Sequence, residues 1–217
     1  MMKRVEWTIV SLACFTSTMC SAEIETTFLQ QPWPGQVVQQ LEVGRYDVRW
    51  RQRISRTQGL LAGAAFTVPV DRGRVWQRAT AYTDLARLIP GVLAVRVLEQ
   101  QPQRHVVQVD LNVLWRTLHL TFEIEPEPPE AIRFQLINQF IGEYRGVCLF
   151  QELPRISANG TSSTVTRVDL ATWYQPSRPV PMRLLLLVER IALLQGIKGF
   201  LASCEPPVHA PHDAPSH

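Results

Sequence analysis

The sequence predicts an α+β fold in which a curved antiparallel sheet wraps round a long C-terminal helix. Residues 92–174 read as strand after strand joined by short turns. Met182 to Ser203 is one Leu-rich segment with no internal Pro, and elsewhere helical spacing is confined to two short stretches near residues 71–90. A sheet with one dry face and a helix dry over most of its girth each need a cover. Each can cover the other.

Length and composition agree with one domain plus tails. The chain has 217 residues, 46% of them apolar and 19% charged, which excludes a disordered, collagen-like or multi-span membrane chain. A net charge of +3 is too small to argue for nucleic acid.

Residues 1–22 read as a signal peptide. Met1-Met2-Lys3-Arg4 is a basic start, Trp7 to Phe15 is apolar, and Cys20-Ser21-Ala22 is a small-x-small cleavage site. Cleavage near Ala22 gives an exported protein, periplasmic or secreted, working away from nucleotide cofactors. Cys14 and Cys20 leave with the signal. Cys148 and Cys204 remain, and two readings stay open: one disulfide, or two buried free thiols. Without CxxC spacing they make no zinc site, and no cofactor or metal is expected.

Residues 23–46 show no clear periodicity and read as an N-terminal arm, so the folded domain is expected over 47–204. Val48, Trp50 and Ile54 alternate with Arg49, Arg51 and Arg53, a strand with one Arg face. Leu60 to Val68 follows as a second strand. Asp71 is placed to cap a first short helix, and Asp84 a second that stops before Pro90-Gly91. Val92 to Glu99, His105 to Trp115, Leu118 to Glu125, Ala131 to Ile137, Tyr144 to Leu153 and Thr164 to Tyr174 are the later strands. Arg116-Thr117 and Asn159-Gly160 supply two of the turns. Beyond the last helix, residues 205–217 carry four Pro and three His and read as a disordered tail.

These residues resemble a known family. Val68-Pro69, Arg74-Val75-Trp76, Tyr82-Thr83-Asp84-Leu85 and Ile89-Pro90-Gly91-Val92 follow the opening pattern of the START-like polyketide cyclase/dehydrase superfamily, closest to its coenzyme Q-binding branch. Phe140, Tyr144 and Gly146 match a later aromatic–aromatic–Gly spacing, and Thr164 to Val168 is similar to the last strand. Leu85 stands where an aromatic is usual, and Cys148 where the family often has Trp. The resemblance implies a helix-grip fold: about seven strands gripping the C-terminal helix, with two short helices after the first strand. It also implies a hydrophobic cavity for lipids, quinones, sterols or polyketides.

Catalytic motifs are absent: there is no HExxH, GxSxG, P-loop or dinucleotide fingerprint. Glu123, Glu125, Glu127 and Glu130 fall on a wet strand face or the turn after it, and His105 and His119 read as surface residues. The leading expectation is therefore a non-catalytic binder or carrier of a hydrophobic small molecule. Candidate lining residues are Leu118, Leu120, Phe122, Phe134 and Leu136 from strands, and Leu187, Ile191 and Leu194 from the helix, with Ile191 near the middle of its buried face.

A cyclase or aromatase would need polar groups inside the cavity, and Tyr144, Arg145 and Arg167 are the strand residues available. Arg49, Arg51 and Arg53 are candidates for peripheral membrane contact or for docking a partner protein; a solvated outer face is the plainer reading.

Overall fold

The computed structural model describes residues 39–43, 46–54, 59–113, 116–138, 141–156, 162–179 and 181–204. The signal segment, the Asn159-Gly160 turn and the C-terminal tail lie outside them. Elements run β1 (Gln39–Val43), β2 (Tyr46–Ile54), β3 (Leu60–Val68), α1 (Arg72–Thr80), a 3-10 turn (Tyr82–Asp84) and α2 (Leu85–Leu88). Then come β4 (Val92–Gln101), β5 (Arg104–Val113), β6 (Arg116–Glu127), β7 (Ala131–Leu136), β8 (Gly142–Ile156), β9 (Ser162–Pro176) and α3 (Met182–Cys204).

One antiparallel sheet of nine described strands holds the order β1-β2-β3-β9-β8-β7-β6-β5-β4. Seven of these, β3 to β9, form the expected grip. The other two come from an N-terminal hairpin in which Leu41 pairs with Val48, so part of the segment read as an arm is strand. Tyr46 to Ile54 earns its place by alternation: Val48 and Trp50 are buried in the core, and Arg49 between them is exposed.

Local chemistry explains the joints. Asp71 caps α1, its Oδ1 accepting from the Arg74 backbone N–H at 2.9 Å. Val113 pairs with Arg116 and Asn112 with Thr117, so Arg116-Thr117 begins β6 instead of forming the turn the sequence suggested. The shift is even, so every side chain keeps its face.

Even-numbered residues of β2, β3 and β6 to β9, and odd-numbered residues of β5, face α3. The main core joins Trp50, Phe66, Val107, Ile132, Phe150 and Val168 from that face to Val75, Tyr82, Ile197, Leu201 and Cys204. Leu61, Val147, Ala171 and Trp173 make a smaller cluster on the opposite face. The α3 backbone approaches β3, α1 and α2 most closely. Gly199 allows this: a side chain there would collide with the backbone of Leu88 in α2.

The helix buries a different stripe from the one expected. Leu185, Glu189, Ile197, Leu201 and Cys204 point inward, at mostly four-residue spacing. Leu187 (54% exposed) and Ile191 (52%) lie on the outer side with Leu184 and Val188, and Leu194 is half-buried against the core. Ile191 is therefore no centre of the buried face. The cause is composition: α3 is apolar nearly all round, so its sequence carries little information about which side is covered.

Candidate functional site

Each of β6 to β9 places an aromatic ring on the face toward α3. Phe122 lies 6.3 Å from both Phe134 and Tyr144 between ring centroids. Phe134 lies 6.1 Å from Tyr144, and Tyr144 lies 6.0 Å from Tyr174. Most of these pairs meet edge to face, the arrangement aromatic quadrupoles favour. Gly146 makes room for the row, because a side chain there would collide with the Phe134 ring. All four rings point inward yet are only half-buried. Their partial exposure, on the face where Tyr144 meets Glu189 of α3, marks a candidate groove between the sheet and the first half of that helix.

A polar cluster closes one side of this groove. Glu189, on the inward stripe of α3, is 7% exposed. Thr172 Oγ1 donates to Glu189 Oε1 at 2.8 Å, and Tyr144 donates its hydroxyl to the same oxygen at 3.4 Å. Burial raises the Glu189 carboxyl above its ordinary value, and the two donors only partly offset this. Tyr144 is pushed well above its ordinary value by burial and then by the Glu189 charge. Tyr174 rises for the same reasons, and its hydroxyl donates to the Ile141 carbonyl at 2.8 Å. Gln52 Nε2 donates to the Leu186 carbonyl at 2.9 Å, pinning the same stretch of helix to β2.

Of the sequence candidates, Leu118, Leu120, Phe122, Phe134 and Leu136 share the inward face. Leu120 and Leu136 are closed into the core, and the two Phe rings are left half-open. Tyr144 lies inward too. Arg145 and Arg167 do not join it; they are corrected to the opposite face. Their strands carry apolar residues on both faces, so alternation could not orient them. Arg145 sits over the Trp173 ring at 5.4 Å and pairs with Glu143 at 3.0 Å. Arg167 pairs with Asp169 at 2.8 Å, inside an outer cleft of about 520 Å³ where Arg72 also meets Glu130 and Arg133 meets Glu127.

Arg49 is exposed; Arg51 and Arg53 hold positions of the same parity opposite Gly63 and Leu61, and their side chains lie outside the described set. Cys148 and Cys204 are free thiols packed against one core, so the disulfide reading is set aside. Burial, with a contribution from Asp169, pushes the Cys148 thiol up to about 12.

His105 also departs from expectation. It is buried, 8% exposed, with Nδ1 2.8 Å from the Tyr82 hydroxyl. His119 is the exposed one, bonded through Nδ1 to Asp110 at 2.7 Å. Among the described residues no three His, Cys, Asp or Glu gather as a metal site, and no helix is long and apolar enough to cross a membrane.

Sequence reasoning missed Glu189 and Tyr174. A Glu in a helix normally reads as solvent-facing. The available signal was its spacing, four residues after Leu185 and four before Leu193.

Residues 68–200, more than half of the chain, match the family described as polyketide cyclase / dehydrase and lipid transport. The chain belongs to that family. Solved structures with the polyketide cyclase fold include a STAR-related lipid transfer protein from Xanthomonas axonopodis. It is 11% identical with a TM-score of 0.59, and the match covers 77% of this chain and 98% of that one. The Zhui aromatase/cyclase from Streptomyces sp. R1128 is 15% identical with a TM-score of 0.54, over 67% of this chain and 93% of that one. At such identities the likeness is one of fold. No curated protein matches the sequence.

Proposed function

We propose that this polyketide cyclase-family chain binds or carries a hydrophobic small molecule, lipid-, quinone- or polyketide-like, in the groove between the aromatic row and α3. The observation that carries the reading is the half-open row itself: Phe122, Phe134, Tyr144 and Tyr174 face inward without being closed off. Transfer of a chain or ring from water onto these rings is driven by desolvation, about 0.8 kcal/mol per buried CH₂. The signal read at residues 1–22 supports placing the binder outside the cytoplasm, where Arg49, Arg51 and Arg53 would meet anionic head groups.

Purification from the native host followed by mass spectrometry of the organic extract tests it. A lipid, quinone or polyketide-like compound should copurify at a fixed ratio, and repeatedly empty preparations would sink the reading. The cyclase alternative draws on one observation, that Glu189 and Tyr144 put ionisable groups beside the groove. Turnover of a polyketone substrate would establish it.

A further inference from the structure

We propose that Glu189 is the polar anchor of this groove and selects a hydrophobic ligand bearing a carbonyl oxygen, to which its carboxylic acid donates a hydrogen bond. The inference rests on the groove reading and adds a named residue and a ligand class to it.

The two carboxyl oxygens of Glu189 are not equivalent. Oε1 accepts from Thr172 at 2.8 Å and from Tyr144 at 3.4 Å. Oε2 takes no hydrogen bond among the described residues, and Arg167 Nε is the one fully buried side-chain atom there without a partner. Oε2 is thus neither satisfied nor fully sealed, and is the carboxyl atom left to meet a ligand. With both hydroxyl donors on Oε1, a proton on this carboxyl would be carried by Oε2. Burial favours that neutral form.

No Arg or Lys pairs with Glu189 among the described residues, so no cation holds the group ionised and only the two hydroxyl donors oppose the effect of burial. The groove then presents aromatic faces and one acid O–H. Its complement is an apolar, ring-bearing molecule with a hydrogen-bond acceptor. A site built round one buried donor discriminates against analogues that leave the donor unpaired.

Equilibrium dialysis of the purified protein with acetylnaphthalene, ethylnaphthalene and aminoethylnaphthalene tests this with matched shapes. The acetyl compound should bind about tenfold more tightly than the ethyl compound. Glu189→Gln should keep that preference, since its amide N–H₂ still donates. Glu189→Leu should abolish it while ethylnaphthalene binds as before. The infrared carbonyl stretch of bound acetylnaphthalene should fall in the wild-type protein, a readout that needs no variant.

Equal binding of acetyl and ethyl compounds, or an unshifted stretch, overturns the anchor and leaves the groove standing. Tightest binding of the amine, lost in Glu189→Gln, overturns the carbonyl assignment in favour of an ion pair. If none of the three binds, the groove reading fails and takes the anchor with it.

Discussion

Tyr82 and His105 meet 2.8 Å apart inside the core, hydroxyl to Nδ1, joining the turn after α1 to β5, the strand next to the β4 edge of the sheet. The rings cross edge to face at 5.5 Å. Burial lowers the His105 value from the ordinary 6.5 and pushes Tyr82 up to about 12. Below pH 6.5 the unfolded chain binds a proton that folded His105 resists, so this contribution is present above that pH and lost as pH falls. Urea unfolding should show the loss between pH 7 and pH 5, and His105→Phe should flatten it. The same slope in both proteins would contradict the assignment. Tyr82→Phe should cost about 1 kcal/mol at neutral pH.

Glu189 titrates with the opposite sign. Its value in the folded protein is raised above the ordinary 4.5, so its contribution is complete below that pH and declines as pH rises through the folded value. Glu189→Gln removes the titration. The stability of the Gln variant relative to wild type should therefore grow with pH above 4.5 and then level off. A difference independent of pH would mean that Glu189 is already solvated.

On α3, the inward stripe makes Ile197 the sensitive apolar position. It is 3% exposed, so Ile197→Asp should cost about 3–5 kcal/mol and abolish stable folding in a domain of ordinary margin. Ile191→Asp should stay within about 0.5 kcal/mol of wild type. Thermal melts of the two decide, and a reversed order would return the helix to the orientation expected from sequence.

Gly146→Ala should push the Phe134 ring out of the row and destabilise by about 1–3 kcal/mol. Loss of near-ultraviolet circular dichroism from the aromatic row should accompany it. An unchanged spectrum would place Phe134 elsewhere.

Cys148 and Cys204, as thiols, should be inert to maleimide in the folded protein and react on unfolding, with no effect of reductant on melting. A melting temperature that drops with dithiothreitol would restore the disulfide.

Much of the sheet was legible because its signals are local. Leu118, Leu120, Phe122 and Ile124 alternate with polar residues, and one face can be read off directly. The strand holding His105 was equally legible: Val107, Val109 and Leu111 alternate with Gln108, Asp110 and Asn112, which puts His105 on the dry face, and the partner Tyr82 accounts for a histidine there. Arg145 and Arg167 lie in strands apolar on both faces, where alternation gives no such help. Glu189 becomes meaningful only when Thr172 and Tyr144 arrive from other strands, a relationship with no counterpart in sequence distance.

The order of pairing along the sheet bears on how the protein assembles. From β4 to β9 each strand lies beside the next in the chain, so that meander can zip from short loops. The seam between β3 and β9 is different: Leu60 must find Tyr174, and closing so long a segment is entropically slow. The aromatic row is complete once β9 has joined, but Glu189 arrives only with the last helix. A chain still emerging from synthesis therefore exposes its aromatic row before the proposed selective group is in place, and early capture of a hydrophobic compound would be indiscriminate.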